Sequence, residues 1–173
     1  MANTHYLIAS YTVGSGGTGT ISFTSIPQTY TDLKLSVSAR GNNADIYDVM
    51  AIKFNGSSTG YSGKYIQATG TSASSGNQSP GTYVELLCAG ATTTANILGN
   101  TDIYIPNYTS SNPKSLEADN VVETNAATIY SRVYAGLWSG TSAITSIDVS
   151  ISPSFGTLYS QYSTFYLYGI KNS

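Results

Sequence analysis

The chain has 173 residues, of which 9% are charged, with nine Asp and Glu against seven Lys and Arg and a formal charge of -2. It is long enough to bury a core without staples, and its balance excludes both a basic nucleic-acid footprint and a long acidic tail. Only the carboxylates, His5 and Cys88 could serve acid/base, metal or thiol chemistry, so most catalytic classes are excluded, while fifteen Tyr and seventeen Gly point to a packed, polar β protein.

The N-terminus from Met1 to Tyr6 lacks a basic region followed by an apolar stretch, and no apolar run reaches membrane-spanning length. A soluble product made in the cytosol is expected, with residues 1–19 as an N-terminal arm. His5 has no Cys, Asp or Glu near it in sequence and reads as an ordinary terminal side chain. Strands are expected at Tyr6 to Val13 and Thr20 to Ile26. Between them, Gly14-Ser15-Gly16-Gly17-Thr18-Gly19 has the glycine density of a phosphate loop but is followed by no Lys-Ser/Thr and no helix, so it reads as a turn.

The clearest alternation runs from Asp32 to Arg40, where Leu33, Leu35, Val37 and Ala39 interleave with Lys34, Ser36 and Ser38, as in a strand with one buried face. Ala44 to Lys53 competes for a helix, but Asp45, Tyr47, Asp48 and Val49 are mediocre helix formers without a capping box, so it reads as a loop running into a strand at Val49 to Asn55. A strand follows at Lys64 to Thr69. Ala68 to Gly81 is rich in Gly, Ser and Thr and reads as a loop, mobile or ordered only by a neighbour.

Further strands are expected at Thr82 to Ala89, where Cys88 reads as a small buried residue, and at Thr101 to Pro106 and Ser115 to Thr124. Alternation then places Ile129, Val133 and Ala135 against Tyr130, Arg132 and Tyr134, and Ile147, Val149 and Ile151 against Asp148, Ser150 and Ser152. Thr164 to Ile170 closes a set of about eleven strands without a helix. Many short, regularly spaced strands predict an all-β protein, a jelly-roll-like antiparallel β-sandwich, with residues 1–173 as a single domain.

No Gly-x-Ser-x-Gly elbow occurs, and no catalytic residue, cofactor or metal site is assigned. Glu117, Asp119 and Glu123 share one parity, as a calcium site or a glycosidase pair would require, but no Asp-x-Asp-x-Asp-Gly loop accompanies them. A solvated or assembly-facing strand surface is the expected reading. Tyr104, Tyr108, Tyr130, Tyr134, Trp138, Tyr159, Tyr162, Tyr166 and Tyr168 could stack on sugars or build a protein interface, and interface use is favoured. The interface candidates are Tyr6, Tyr11, Tyr104, Tyr108, Trp138, Tyr166 and Tyr168.

Two segments carry more than periodicity: Ile21 to Leu33 (ISFTSIPQTYTDL) and Ser163 to Lys171 (STFYLYGIK). They resemble a family of tailed-bacteriophage virion proteins, common among phages of aquatic bacteria. Asp102-Ile103-Tyr104-Ile105-Pro106-Asn107-Tyr108, Lys114-Ser115 and Gly136-Leu137-Trp138-Ser139-Gly140-Thr141 are similar to the same family, so the resemblance spans nearly the whole chain. It brings no catalytic residues with it. It implies a β-sandwich that trimerises as a capsid decoration or cement protein, resides in the virion and binds the major capsid protein or other virion proteins, while the charge balance and the lack of a long apolar run argue against nucleic acid and membrane as partners. Tail-fibre and receptor-binding modules share such sheets and aromatic loops, so recognition of a host glycan is the alternative. The absence of fibrous repeats and heptads in the sequence favours decoration, with Tyr6, Tyr11 and the loop at 68–81 expected to meet the shell.

Overall fold

A computed structural model describes residues 4–124 and 128–171, and the first three residues of the expected arm lie outside them. Twelve strands follow in order: β1 His5–Thr12, β2 Thr20–Phe23, β3 Asp32–Ala39, β4 Tyr47–Phe54, β5 Tyr61–Thr69, β6 Ser72–Gly81, β7 Val84–Ala89, β8 Gly99–Ile105, β9 Lys114–Val122, β10 Tyr130–Trp138, β11 Ile147–Ile151 and β12 Thr164–Ile170. They form an eight-stranded sheet, β1-β12-β3-β8-β9-β10-β5-β6, and a four-stranded sheet, β2-β11-β4-β7, and every strand pairing is antiparallel.

The chain order within these sheets is that of a jelly roll. Without β5, β6, β9 and β10, the remaining eight strands, counted along the chain, make one sheet of first-eighth-third-sixth and another of second-seventh-fourth-fifth, the two interlocked Greek keys of that fold. Two hairpin-like insertions decorate this frame. One (β5–β6) lies in the connection from β4 to β7 and the other (β9–β10) in that from β8 to β11, and together they widen one sheet from four strands to eight.

The core lies between the sheets, where Leu33, Leu35, Val37 and Phe165 from the wide sheet meet Met50, Ile52, Leu86 and Val149 from the narrow one. Each such apolar side chain contributes about 1.5–3 kcal/mol by leaving water. Cys88 is fully buried, as its apolar neighbours suggest, and burial pushes its thiol well above its ordinary range. The Gly14–Gly19 segment is a turn in which Gly17 takes the left-handed conformation, and Gly17 N–H donates to the Gly14 carbonyl.

Aromatic rings cover strand glycines on the inner face of the widened sheet. Gly63 pairs with Gly136 across β5 and β10, and a Cβ at either would strike the ring of Tyr134, which lies over both. Tyr65 covers its cross-strand partner Gly76 in the same way. The glycines make room, and the tyrosines restore the apolar area that the glycines lack.

Two expectations are corrected. Ala68 to Gly81 is not a loop: apart from the tight turn at Gly70–Thr71, it completes β5 and forms β6, which pairs with β5 from Ser72 to Gly81. Low side-chain bulk does not prevent pairing when a neighbouring strand supplies the backbone partners. In β10 the buried parity is the reverse of that expected, with Arg132, Tyr134 and Trp138 inward and Val133, Ala135 and Leu137 outward. Two large rings bury more area than Val and Ala can, so the aromatic parity takes the core.

Candidate interaction surface

The outward face of the wide sheet is read directly from its register. One row crosses it as Tyr168, Lys34, Tyr104, Glu117, Ala135, Lys64 and Asn77, and the next as Tyr166, Ser36, Asp102, Asp119, Val133, Ile66 and Ser75. The face therefore changes character from one end to the other. It is aromatic at β12, charged at β3, β8 and β9, apolar at β10 and at β5 apart from Lys64, and polar and uncharged at β6.

At the aromatic end, Tyr166 and Tyr168 stack with ring centroids 6.4 Å apart. Beside them, Lys34 Nζ lies 3.0 Å from Asp102 Oδ2, and Ser36 Oγ donates to Asp102 Oδ1 at 2.6 Å. Partial burial opposes ionisation of Asp102, but the hydrogen bonds from Ser36 and Lys34 and the Lys34 charge outweigh it and hold the carboxyl below its usual range. Tyr104 donates to Asp32 Oδ2 at 2.7 Å, and this bond, with burial, pushes the phenol up to about 12. Ser36, Ser38, Asn100, Asp102, Asp119, Thr164 and Tyr166, together with Val37, Thr101 and Val121, line a shallow trough of about 420 Å³ on this part of the face.

Glu117 and Asp119 point outward from β9 as their parity requires, and Glu123 is exposed just beyond its end. Among the described residues no three His, Cys, Asp or Glu side chains are grouped as a metal site.

Of the interface candidates, Tyr6, Tyr11, Tyr104, Tyr166 and Tyr168 retain exposure. Tyr6 lies 5.8 Å from Tyr30 between ring centroids, with Lys171 Nζ 5.6 Å from its own ring, so it forms part of a small cation–aromatic cluster beside β1. Tyr108 and Trp138 must be withdrawn as surface residues because they are 0% and 5% exposed. Tyr108 donates to the Pro27 carbonyl, and Trp138 meets Phe54 edge-on at 5.7 Å and stacks on Tyr61 at 6.3 Å. Both fill the core. Tyr134 and Tyr159 are likewise buried, while Tyr162 is freely exposed in the turn before β12. Arg132 is also internal: its guanidinium lies 4.0 Å over the Tyr65 ring and donates to Gln67 Oε1 at 2.8 Å.

Comparison with known protein families, curated proteins and solved structures finds no match for this chain.

Four residues outside the aromatic set stand out. Ile66, Val133, Val121 and Leu137 are 68%, 61%, 42% and 41% exposed, all on the outward face of β5, β9 and β10. Val133 lies directly opposite Ile66 on one side and Asp119 on the other. An apolar stripe of this kind marks a contact surface more often than solitary exposed side chains do. The sequence carried a signal for it, since Val133, Ala135 and Leu137 alternate with Tyr134, Gly136 and Trp138, two parities of which only one can be buried.

Proposed function

We propose that the protein is a non-enzymatic structural subunit of a tailed-bacteriophage particle, a capsid decoration subunit that acts as a homo-oligomer through the outer face of its wide sheet. The observation that carries this reading is the exposed apolar stripe of Ile66, Val121, Val133 and Leu137 on the outward face of β5, β9 and β10. Burying such a stripe against other virion proteins contributes roughly 25 cal/mol per Å² of apolar area, and many copies act together by mass action on the assembled shell. The resemblance of the segments at 21–33 and 163–171 to phage virion proteins supports the same assignment, and the trimer implied by it is the expected oligomer.

The test is location. Antibody against the chain should label particle heads in electron micrographs, and the double variant Ile66→Thr, Val133→Thr should label them weakly while folding normally, since Thr keeps the β-branched shape of the strand. Label confined to tails, or undiminished in the double variant, would overturn the decoration reading.

The trough beside Tyr166 favours a second reading, recognition of a host glycan. Hydroxyl, amide and carboxylate side chains there adjoin an aromatic ring, a combination suited to sugar hydroxyls and sugar faces. Binding to purified host polysaccharide that is lost on Tyr166→Ala would support it.

A further inference from the structure

An open sandwich has four sheet edges, and in this one three of them are blunted by identifiable means. The edge strand β2 has only four residues. The edge strand β1 is broken by a bulge between Leu7 and Ala9. The edge strand β7 has its backbone groups taken by side chains from the facing sheet. Leu87 N–H donates to Asn120 Oδ1 at 3.2 Å, Asn120 Nδ2 and Thr101 Oγ1 donate to the Leu87 carbonyl at 2.6 and 3.2 Å, and Glu85 N–H donates to Gln78 Oε1 at 3.2 Å. Such devices stop an edge from recruiting further strands.

The fourth edge, β6, is the longest at ten residues and lacks them over most of its length. From Ser72 to Gln78 it contains no charged residue and no proline, and it keeps a regular register with β5. The irregularity in that pairing and Pro80 both come after Gln78, at one end, where they limit the edge without closing it. On the inner face the strand is held down, because Tyr65 covers Gly76 and Gln78 donates to the Tyr83 carbonyl at 2.5 Å and accepts from Tyr134 at 2.6 Å. β6 is thus an ordered strand with one row of backbone groups facing away from β5.

We propose that β6 is a self-pairing edge, which a second copy of this chain joins antiparallel across a two-fold axis to make one continuous sheet from two wide sheets. The occupant is a second copy because the segment suits itself. With the axis at Ser75, Ala73 faces Asn77, Ser74 faces Gly76 and Ser72 faces Gln78, so small side chains meet larger ones and no like charges meet. Ile66 sits beside Ser75 on β5, so pairing also carries the apolar stripe of each copy up to a common seam. Pairing through β6 does not depend on the phage assignment.

The experiment is sedimentation of the full chain across the micromolar range. The wild-type chain should show a reversible assembly containing the two-fold pair. Ser75→Lys, on the exposed outer face, should raise the dissociation constant by about tenfold or more through like-charge contact, and so should Ser75→Glu. Mixing those two variants should restore association as a mixed pair, whereas Ser75→Thr should associate as wild type. Hydrogen exchange at residues 72–78 of the wild-type chain should slow as concentration rises. A monomer at every concentration, or an oligomer indifferent to Ser75→Lys, would overturn the proposal. A trimer indifferent to Ser75→Lys would do so while leaving the assembly reading of the outer face intact.

Discussion

Trp138 illustrates how burial redirects a side chain that composition alone marks as a binding anchor. Packed between Phe54 and Tyr61, it is part of the core, and Trp138→Ala should destabilise the fold by about 3–5 kcal/mol in denaturant unfolding. Any loss of binding in that variant would follow from unfolding, so Tyr166 is the proper probe of the trough. At Asn55 the backbone is left-handed, and one side chain organises an entire loop. Its Oδ1 accepts from Thr145 N–H at 2.8 Å and Ser146 N–H at 3.1 Å, while its Nδ2 donates to the Ala143 carbonyl at 2.8 Å. Asn55→Ala removes these bonds and should cost about 2–4 kcal/mol, read as a lowered denaturation midpoint. Asp102 has a depressed pKa in the fold, so its contribution is present above the unfolded carboxylate value and is lost as pH falls through the folded one. Asp102→Asn should therefore flatten the acid limb of the melting-temperature profile.

The strands are legible to different degrees, for physical reasons. β3 and β11 alternate apolar with polar residues, and the structure buries the expected parity in each, while β9 turns Glu117 and Asp119 outward as their shared parity requires. β10 carries aliphatic residues on one parity and aromatic rings on the other, so alternation pointed to Val133 and Ala135 as the buried set, and the larger rings of Tyr134 and Trp138 reversed it. β6 has no side-chain signal because its residues are small and polar. Its order comes from the ladder with β5 and from Gln78, whose amide ties β6 to the β7 edge. Gln78→Ala should raise hydrogen-exchange rates across residues 72–78 and at Glu85 while sparing β3 and β12. Gly63→Val would drive a branched side chain into the Tyr134 ring, and an overpacking loss of about 1–3 kcal/mol is expected in thermal unfolding.

As a whole, the molecule is a jelly roll in which two inserted strand pairs turn one sheet into a broad platform. The platform carries two kinds of chemistry, the trough over β12, β3, β8 and β9 and the apolar stripe over β9, β10 and β5, and Val121 borders both. Cys88, fully buried on β7 in the core between the sheets, is a natural reporter of global opening. It should resist thiol reagents in the native state and react at the rate of global unfolding, since burial raises its pKa and removes access.

Alternation along β3 and β11, turn residues between short strands and the shortage of charged side chains are enough by themselves to determine an all-β sandwich. These are local properties, set by the two-residue period of a strand and the cost of burying charge. Which tyrosines face water, which parity of β10 is buried, and whether Ser72 to Gln78 is a strand depend on partners distant in sequence. Only the tertiary structure decided them, because the competition for space between two sheets cannot be read from neighbours along the chain.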